Sequence, residues 1–529
     1  MSARGPRLRV VCVSDIYTLE PLPRLRSLVA RERRDDPADA LLVVLAGDFL
    51  SPNMLTSLDG GVGMVDCMNA VPFTHVALGN HEDDLETTAL SARLRELDAT
   101  CLCANVDGLE LTPSAVVTLP GRGRDVLRVG LVGSVMEDRS VYPRVPFGGL
   151  PLRPANGATV AEVERLRREE GCDAVLVLTH QPIADDRALA RALEGLGVPL
   201  LVGGHEHEPA TEATHGLILI KAGRDALTPR IVDLEWPAEA AEGAGLVRPE
   251  VRVRTVELHD VPEDAELAAR VARHRRKLEV LERATLRRLA PGETLSSVGA
   301  RRQPTSVGTM LTSLLRERFG AEGALLNGGA IRAGREYRER FTYADLRAEV
   351  PFDNDVVVVE LLGAVLADAL KYSRRAAPRE SGSYLHVDDA MVVDEANELL
   401  AIAGEPLEPA RRYRIATVRN FFLGLDHIEP LVRFASEHPE AVPPDDAGRE
   451  VKLVLVEGFM LELFGRLGPF AALDADGSGG LDSGELAVAL ERLTEEPASP
   501  LTVELMLRSL DHDRDGVVSH EEATHAGKR

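Results

Sequence analysis

One pattern recurs along the first half of the chain: a short run of Val, Leu and Ile, a polar or glycine-containing break, then a stretch with helical spacing. Up to about Asp233 the apolar runs are Leu8–Val13, Leu41–Ala46, His75–Leu78, Leu127–Gly133, Ala174–Leu178, Leu200–Val202 and Leu217–Ile220. Runs of this length bounded by turn residues predict strands buried on both faces. Alternating with helical segments, they predict α/β layering. Glu235–Leu246, rich in Ala, Glu and Gly, predicts a loop, and Arg-rich Asp264–Leu289 predicts a long connecting helix with a solvated charged face. A second α/β region runs from about Thr294 to Glu457, with strand-like Val356–Leu361 and Lys452–Val456. Within it, Glu437–Arg449 carries three prolines and several acids and predicts a surface loop. The last stretch holds the clear internal repeat. The division expected is 1–250, 251–293 as a connecting helix or linker, 294–460 and 461–529.

Length and composition narrow this picture. The 529 residues, 44% of them hydrophobic, suit several separate cores. A formal net charge of −24 argues against nucleic acid as a partner, which needs a positive field. It leaves room for a small anionic substrate, because bound metal ions reverse the local field. The five cysteines, Cys12, Cys67, Cys101, Cys103 and Cys172, are odd in number in a long chain and predict core or strand thiols, not a disulfide framework. No apolar stretch reaches the length that spans a bilayer, and the run after the N-terminus is too short for a signal peptide. The expectation is a cytoplasmic protein with no membrane partner.

The candidate chemistry lies where the apolar runs end. They are followed in turn by Asp15, by Gly47-Asp48, by Gly79-Asn80-His81-Glu82-Asp83-Asp84, by Thr179-His180, and by Gly203-Gly204-His205-Glu206-His207. Open α/β sheets bind ligands at the carboxyl ends of their strands. Asp, Asn and His gathered there suit a pair of divalent or trivalent ions. The adjacent glycines are expected to let the backbone turn under a ligand. Any one of these residues alone reads as a turn, a cap or a core histidine; five such ends in succession do not.

Asp15, Gly47-Asp48, Gly79-Asn80-His81-Glu82, His180 and Gly204-His205-x-His207 together resemble the calcineurin-like metallophosphoesterase signature over the first ~230 residues. The resemblance implies a four-layer αββα domain with two metal ions, divalent or of mixed valence (Mn, Zn, Co or Fe). Asp15, Asp48 and His207 would hold the first ion, and Asp48, Asn80, His180 and His205 the second. A bridging hydroxide would attack phosphorus in line. His81 would stabilise the transition state or protonate the leaving oxygen, oriented by Asp84 one turn on. The family's Asp-x-His is here Asp15-Ile16-Tyr17. Three readings of Tyr17 stand open: no binding and a weaker first site, tyrosinate coordination favouring Fe(III), or a vestigial first site.

Asn327-Gly-Gly-Ala-Ile-Arg332, Val350-Pro-Phe352-Asp-Asn-Asp355 and Thr417-Val-Arg-Asn-Phe421-Phe422, with Asp426 after them, are similar to the C-terminal domain of the 5'-nucleotidase family. That implies nucleotide contacts from Asn327, Arg332 and Asp426. It implies an aromatic clamp with Phe352 on one side and Phe421 or Phe422 on the other; such a clamp tolerates several bases. Arg301 or Arg302 would match a further substrate arginine.

The repeat places Asp474, Asp476, Ser478, Asp482 and Glu485, and again Asp511, Asp513, Asp515, Ser519 and Glu522, at the ligand offsets of a 12-residue EF-hand loop. The seventh-position carbonyls come from Gly480 and Val517, and Leu481 and Val518 are placed to pair the two loops. A small all-α calcium module is expected, its second exit helix short. The functional expectation is a metal-dependent hydrolase of 5'-nucleotides. Its rivals are a 2',3'-cyclic nucleotide phosphodiesterase or another small-phosphoester hydrolase, and a calcium-responsive binding protein with a degenerate metal centre.

Overall fold

The structure is a computed structural model that describes residues 5–85, 87–109, 111–120, 126–142, 145–237, 248–352, 354–444, 447–494, 497–511 and 515–527. The chain divides into two units, Met1–Arg276 and Lys277–Arg529.

The first unit contains strands β1 (Arg7–Val13), β2 (Ala40–Ala46), β3 (His75–Ala77), β4 (Thr100–Leu102), β5 (Ser114–Pro120), β6 (Val126–Val135), β7 (Ala174–His180), β8 (Leu200–Gly204), β9 (Ala210–Thr214), β10 (Leu217–Lys221), β11 (Arg230–Glu235) and β12 (Glu250–Thr255). They form two six-stranded sheets, ordered β12-β11-β1-β2-β3-β4 and β5-β6-β7-β8-β10-β9. Strands β1 to β4 run parallel, as do β6, β7, β8 and β10. The remaining strands are antiparallel: β5, β9 and β12 at sheet edges, and β11 between β12 and β1.

Alternation along the strands sorts the apolar residues into three cores. Leu8, Val10 and Cys12 of β1 meet Leu42 and Val44 of β2 and Leu176 and Leu178 of β7 between the two sheets. The opposite faces, Val11, Val13, Val43 and Leu45, pack on helix Leu22–Asp35 and its neighbours. On the far side of the second sheet, Val175 and Val177 pack with Val163, Leu166 and Leu189 from helices Ala155–Arg168 and Ile183–Ala192. Three cores separate four layers, helix, sheet, sheet and helix, and the parallel strands are buried on both faces because each layer is covered. Strands β4, β5, β9, β11 and β12 were not among the expected runs; β4 is short, β5, β9 and β12 are half-exposed, and Asp233 interrupts the apolar residues of buried β11.

The second unit is built on a five-stranded sheet ordered Leu385–Val387, Gly323–Asn327, Arg412–Val418, Asp355–Leu362 and Arg449–Glu450. Helix Ser306–Phe319 packs on it, capped by Thr305 accepting from the Gly308 amide and closed by left-handed Gly320. Lys452–Val456 is not a strand; it lies inside helix Val451–Gly465. Val451, Val454, Val456, Phe459 and Met460 bury all round that helix, and a short apolar run does not distinguish such a helix from a strand. The expected helix over Asp264–Leu289 occupies Ala265–Glu282, after which Thr285–Arg288 turns into a strand paired with Arg340–Thr342. Helices Phe470–Leu473, Ser483–Thr494, Pro500–Leu510 and His520–Gly527 close the chain. Leu481 pairs with Val518 and Gly480 with Ser519 in a short antiparallel ladder.

Of the loop expected at Glu235–Leu246, residues 238–246 lie outside the described residues, as does Asp513 of the second acidic loop. All five cysteines are free thiols and buried. No helix of the described residues is long and apolar enough to cross a membrane.

Candidate metal centre

Parallel strands in both sheets of the first unit deliver their carboxyl ends to a common edge. From the first sheet come Asp15 after β1, Asp48 after β2 and Asn80 after β3. From the second come His180, the last residue of β7, and His205, directly after β8. The two sets are stitched together: His180 Nδ1 donates to the Ala46 carbonyl at 2.8 Å, and the His205 amide donates to Asp15 Oδ1 at 3.1 Å.

The side chains converge. Ligand atoms of Asp15, Asp48 and His180 all lie within 4.8 Å of one another, and these three residues are fully buried. His180 Nε2 is 3.2 Å from Asp48 Oδ2 and 4.0 Å from Asp15 Oδ1. The Tyr17 hydroxyl enters the same cluster, 3.0 Å from Asp48 Oδ2, 3.0 Å from His207 Nε2 and 3.4 Å from Asp15 Oδ1. Asp48 Oδ2 is therefore shared by the Tyr17 hydroxyl and His180 Nε2, and His207 joins the cluster through Tyr17.

The residues fit cations. Both polar side-chain atoms of Asn80 and Oδ2 of Asp15 are buried without a hydrogen-bond partner, a costly arrangement that metal coordination relieves. With Nδ1 committed to Ala46, His180 turns Nε2 into the cluster, as a metal-ligating imidazole does. Burial pushes the Asp15 carboxyl up to about 6. Burial acts the same way on Asp48, but the facing His180 and His81 hold it well below the usual carboxylate range. Burial disfavours charge on His180, and Asp48 and Asp15 overcome this and lift it to about 10. The cluster thus draws positive charge into a buried place.

The backbone is strained at the candidate ligands themselves. Asp15, Asp48 and His205 adopt φ of 55°, 56° and 88°, left-handed values that non-glycine residues rarely take and that collect at functional sites. Of the neighbouring glycines, Gly47 also turns left-handed, but Gly79 and Gly204 serve mainly by leaving room. A Cβ on Gly79 would meet Asp48 Oδ1 at 2.0 Å, and one on Gly204 would meet the Ala46 carbonyl at 2.0 Å.

His81 and Asp84 sit on the 3-10 turn that follows Asn80, with His81 Nδ1 3.0 Å from Asp84 Oδ2. Ser51 Oγ donates to the same Asp84 oxygen at 2.7 Å.

Two positioning groups escaped the sequence reading. Glu82, fully buried, accepts from the amides of Gly79, Asp48, Phe49 and Leu50 at 2.6–3.0 Å and so fixes the loop that carries Asp48. Burial, reinforced by Asp48, pushes its carboxyl up to about 7. Lys221, also fully buried, donates to the carbonyls of Gln181 at 2.7 Å and Gly204 at 2.6 Å, the residues next to His180 and His205. Asp186 and Glu206 flank the Lys221 ammonium at 2.7 Å each. One cation thereby ties together the two histidine-bearing loops. Its signal in the sequence is a lone Lys closing an apolar run, Leu217–Ile220, at the edge where the ligands lie.

In the second unit, Asn327 Nδ2 donates to Asp426 Oδ2 at 2.5 Å, and the Arg332 guanidinium lies 5.4 Å from the centre of the Phe352 ring. The Gly328-Gly329 turn links the pairs: Arg332 donates to the Gly329 carbonyl, and a Cβ on Gly329 would touch Asn327 Nδ2. Phe352 is 47% exposed. Phe421 and Phe422 are core residues at 0% and 3% exposure, which corrects their expected place as an open clamp wall. They pack inward because Val418–Phe422 follows directly on a central strand, and the apolar side chains left in solvent are Leu423 and Leu425.

In the first acidic loop, carboxylate oxygens of Asp474, Asp476 and Glu485 come within 4.8 Å of one another. Ser478 and Asp482 lie in the same loop, where Ser478 Oγ donates to the Gly480 carbonyl and Asp482 Oδ1 accepts from the Glu485 amide. In the second, Asp511 accepts from Gly516, Asp515 from Val517, and Glu522 from Ser519.

Comparison with known proteins agrees with this architecture. The calcineurin-like phosphoesterase model matches residues 8–209, and the model of the 5'-nucleotidase C-terminal domain matches residues 284–432. Protein UshA of Escherichia coli (strain K12) is 25% identical over 401 residues, covering 66% of this chain and 72% of that protein. The 5'-nucleotidase of Homo sapiens is 25% identical over 418 residues, covering 72% and 71%. The fold is shared with the NAD nucleotidase NadN of Haemophilus influenzae, at a TM-score of 0.65 and 15% identity over 86% of this chain and 96% of that one.

Proposed function

We propose, from the premise that the chain belongs to the 5'-nucleotidase family of phosphoric ester hydrolases, that it removes the 5'-phosphate from nucleotides at a two-metal centre in its first unit. The observation that carries this reading is Asp48 Oδ2, set 3.0 Å from the Tyr17 hydroxyl and 3.2 Å from His180 Nε2, with the partnerless Asn80 amide in the same cluster of strand ends. Asp15, Asp48 and His207 would hold one ion, and Asp48, Asn80, His180 and His205 the other.

Bound there, the ions supply a nucleophilic hydroxide at neutral pH and offset charge on the phosphoryl oxygens. The chain's own groups do the rest. Glu82 and Lys221 keep the ligand loops in register, so the site is assembled before substrate arrives. Asp84 holds Nδ1 of His81, which directs Nε2 to the leaving oxygen for proton donation. Asn327, Arg332, Phe352 and Asp426 of the second unit take the nucleoside. Phe352, 47% exposed, offers a flat face to any base. The two C-terminal loops form an EF-hand pair that binds calcium through Asp474, Asp476, Asp482 and Glu485 and through Asp511, Asp515 and Glu522.

Turnover of AMP, UMP, 2',3'-cyclic AMP and sugar phosphates, assayed with added Mn²⁺, tests the reading. Release of phosphate from AMP or UMP is expected, and its loss in Asp48→Asn. Preference for the cyclic substrate would replace nucleotidase with diesterase activity. Absence of turnover on the whole panel would leave a calcium-responsive binding protein.

A further inference from the structure

Tyr17 occupies the place where the family pattern has histidine, and its surroundings say what the exchange does. The Tyr17 amide donates to Asp225 Oδ1 at 3.0 Å, so the backbone is pinned. The ring packs edge-on against His207 and His81, with centroids 5.4 and 6.3 Å away, and the residue is 9% exposed. This packing aims the hydroxyl at two carboxylates, Asp48 Oδ2 at 3.0 Å and Asp15 Oδ1 at 3.4 Å, and at His207 Nε2 at 3.0 Å. A phenol carries one proton and donates to one oxygen at a time. The second carboxylate then faces a lone pair at short range in a buried site. A cation among these atoms removes the conflict. The spacing agrees: ligands at adjacent corners of an octahedron with bonds of about 2.1 Å lie about 3 Å apart.

We infer that Tyr17 Oη is itself a metal ligand, and that it makes the first position a site for trivalent iron. The inference rests on the two-metal reading above. Asp15, Asp48 and Tyr17 supply three anionic oxygens beside one imidazole, a harder set than the amide and two imidazoles that share Asp48 at the second position. Asp15 and Tyr17 place their negative charge on the first position alone and Asp48 is shared, so the higher positive charge belongs there. The phenolic proton leaves to solvent as the ion binds, and iron supplied as Fe³⁺ enters without electron transfer. The second position, with mostly neutral donors, stays divalent.

The test is spectroscopic. The full chain, stripped of metal and kept in excess calcium, is loaded with Fe³⁺ and then Zn²⁺, and its metal content and visible spectrum are recorded. The expected result is one iron and one zinc per chain with a broad phenolate-to-iron charge-transfer band. Tyr17→Phe is expected to lose the band and the iron while keeping the zinc, and Tyr17→His to take zinc at both positions and remain colourless. A colourless wild type holding iron, a wild type that takes only zinc, or a Tyr17→Phe protein that retains the band would overturn the inference. Colourless protein with two zinc ions that still releases phosphate from AMP overturns it while leaving the proposed function standing. Equal metal content in wild type and Asp48→Asn removes the two-metal reading as well.

Discussion

Two clusters of the chain that could hold cations are built in opposite ways. The first collects Asp15, Asp48, Asn80, His180 and His205 from five strand ends spread over 190 positions of sequence and buries them all below 4% exposure. The second takes Asp474, Asp476 and Glu485 from one contiguous loop whose carboxylates stay partly or fully in water. The first spends folding energy on left-handed backbone, orphaned polar atoms and a buried Lys221 clamp, so its geometry exists before any ion arrives. The second has left-handed backbone only at glycines, Gly477 and Gly479, and leaves a single buried oxygen, Asp474 Oδ1, without a partner. Preorganised ligands suit chemistry that must hold its metals through many turnovers. An exposed loop suits an ion that comes and goes with its concentration.

The sharpest way to break the comparison is Asp48→Asn. Because Asp48 Oδ2 lies within 3.2 Å of both the Tyr17 hydroxyl and His180 Nε2, its loss is expected to lower kcat by about a thousandfold or more, read as phosphate release from AMP. Retained turnover would show that the buried cluster is not the catalytic one.

Lys221→Met tests the clamp. Removing it leaves Asp186 and Glu206 uncompensated in the interior, a cost of about 3–5 kcal/mol in denaturant unfolding. Metal affinity is expected to fall by roughly 10- to 100-fold, since the loops of His180 and His205 lose their common anchor. Unchanged metal content would reduce Lys221 to a packing residue.

Acid should weaken the scaffold and not the exposed loop. Burial holds His75, at the start of β3, and His386, in the second unit, down to about 4 from the usual 6.5. Both stay neutral when folded and charge first when unfolded. Their stabilisation is present above pH 6.5 and is lost as pH falls toward 4, on the order of 3 kcal/mol each. Urea unfolding followed from pH 7 to pH 4.5 checks the slope.

The smallest expected effect is Glu485→Gln. Loss of one carboxylate charge should weaken calcium binding about tenfold, ~1.4 kcal/mol by titration calorimetry, with little change in metal content of the first unit. An equal loss of turnover would tie the two regions together.

Much of this was legible in the chain. The apolar runs located most of the parallel strands because strands covered on both faces carry an uninterrupted signal, and the residues after them fall at the strand ends that the fold gathers on one edge. The half-exposed edges β5, β9 and β12 carried no such signal. Lys452–Val456 was misplaced because apolarity without a period does not separate a buried helix from a strand. Phe421 and Phe422 were misplaced because a motif records residue type and order but not which way a ring points.

By itself the sequence determined the inventory of candidate ligands, the succession of the strands that carry them and the offsets of the acidic repeat, since these depend on local period and spacing. Only the tertiary structure decided that Tyr17 aims its hydroxyl into the cluster, that Glu82 and Lys221 serve the ligand loops, and that two aromatic side chains turn inward. Those outcomes follow from contacts between segments far apart in the chain, where burial and a handful of distances, not residue type, select the partner.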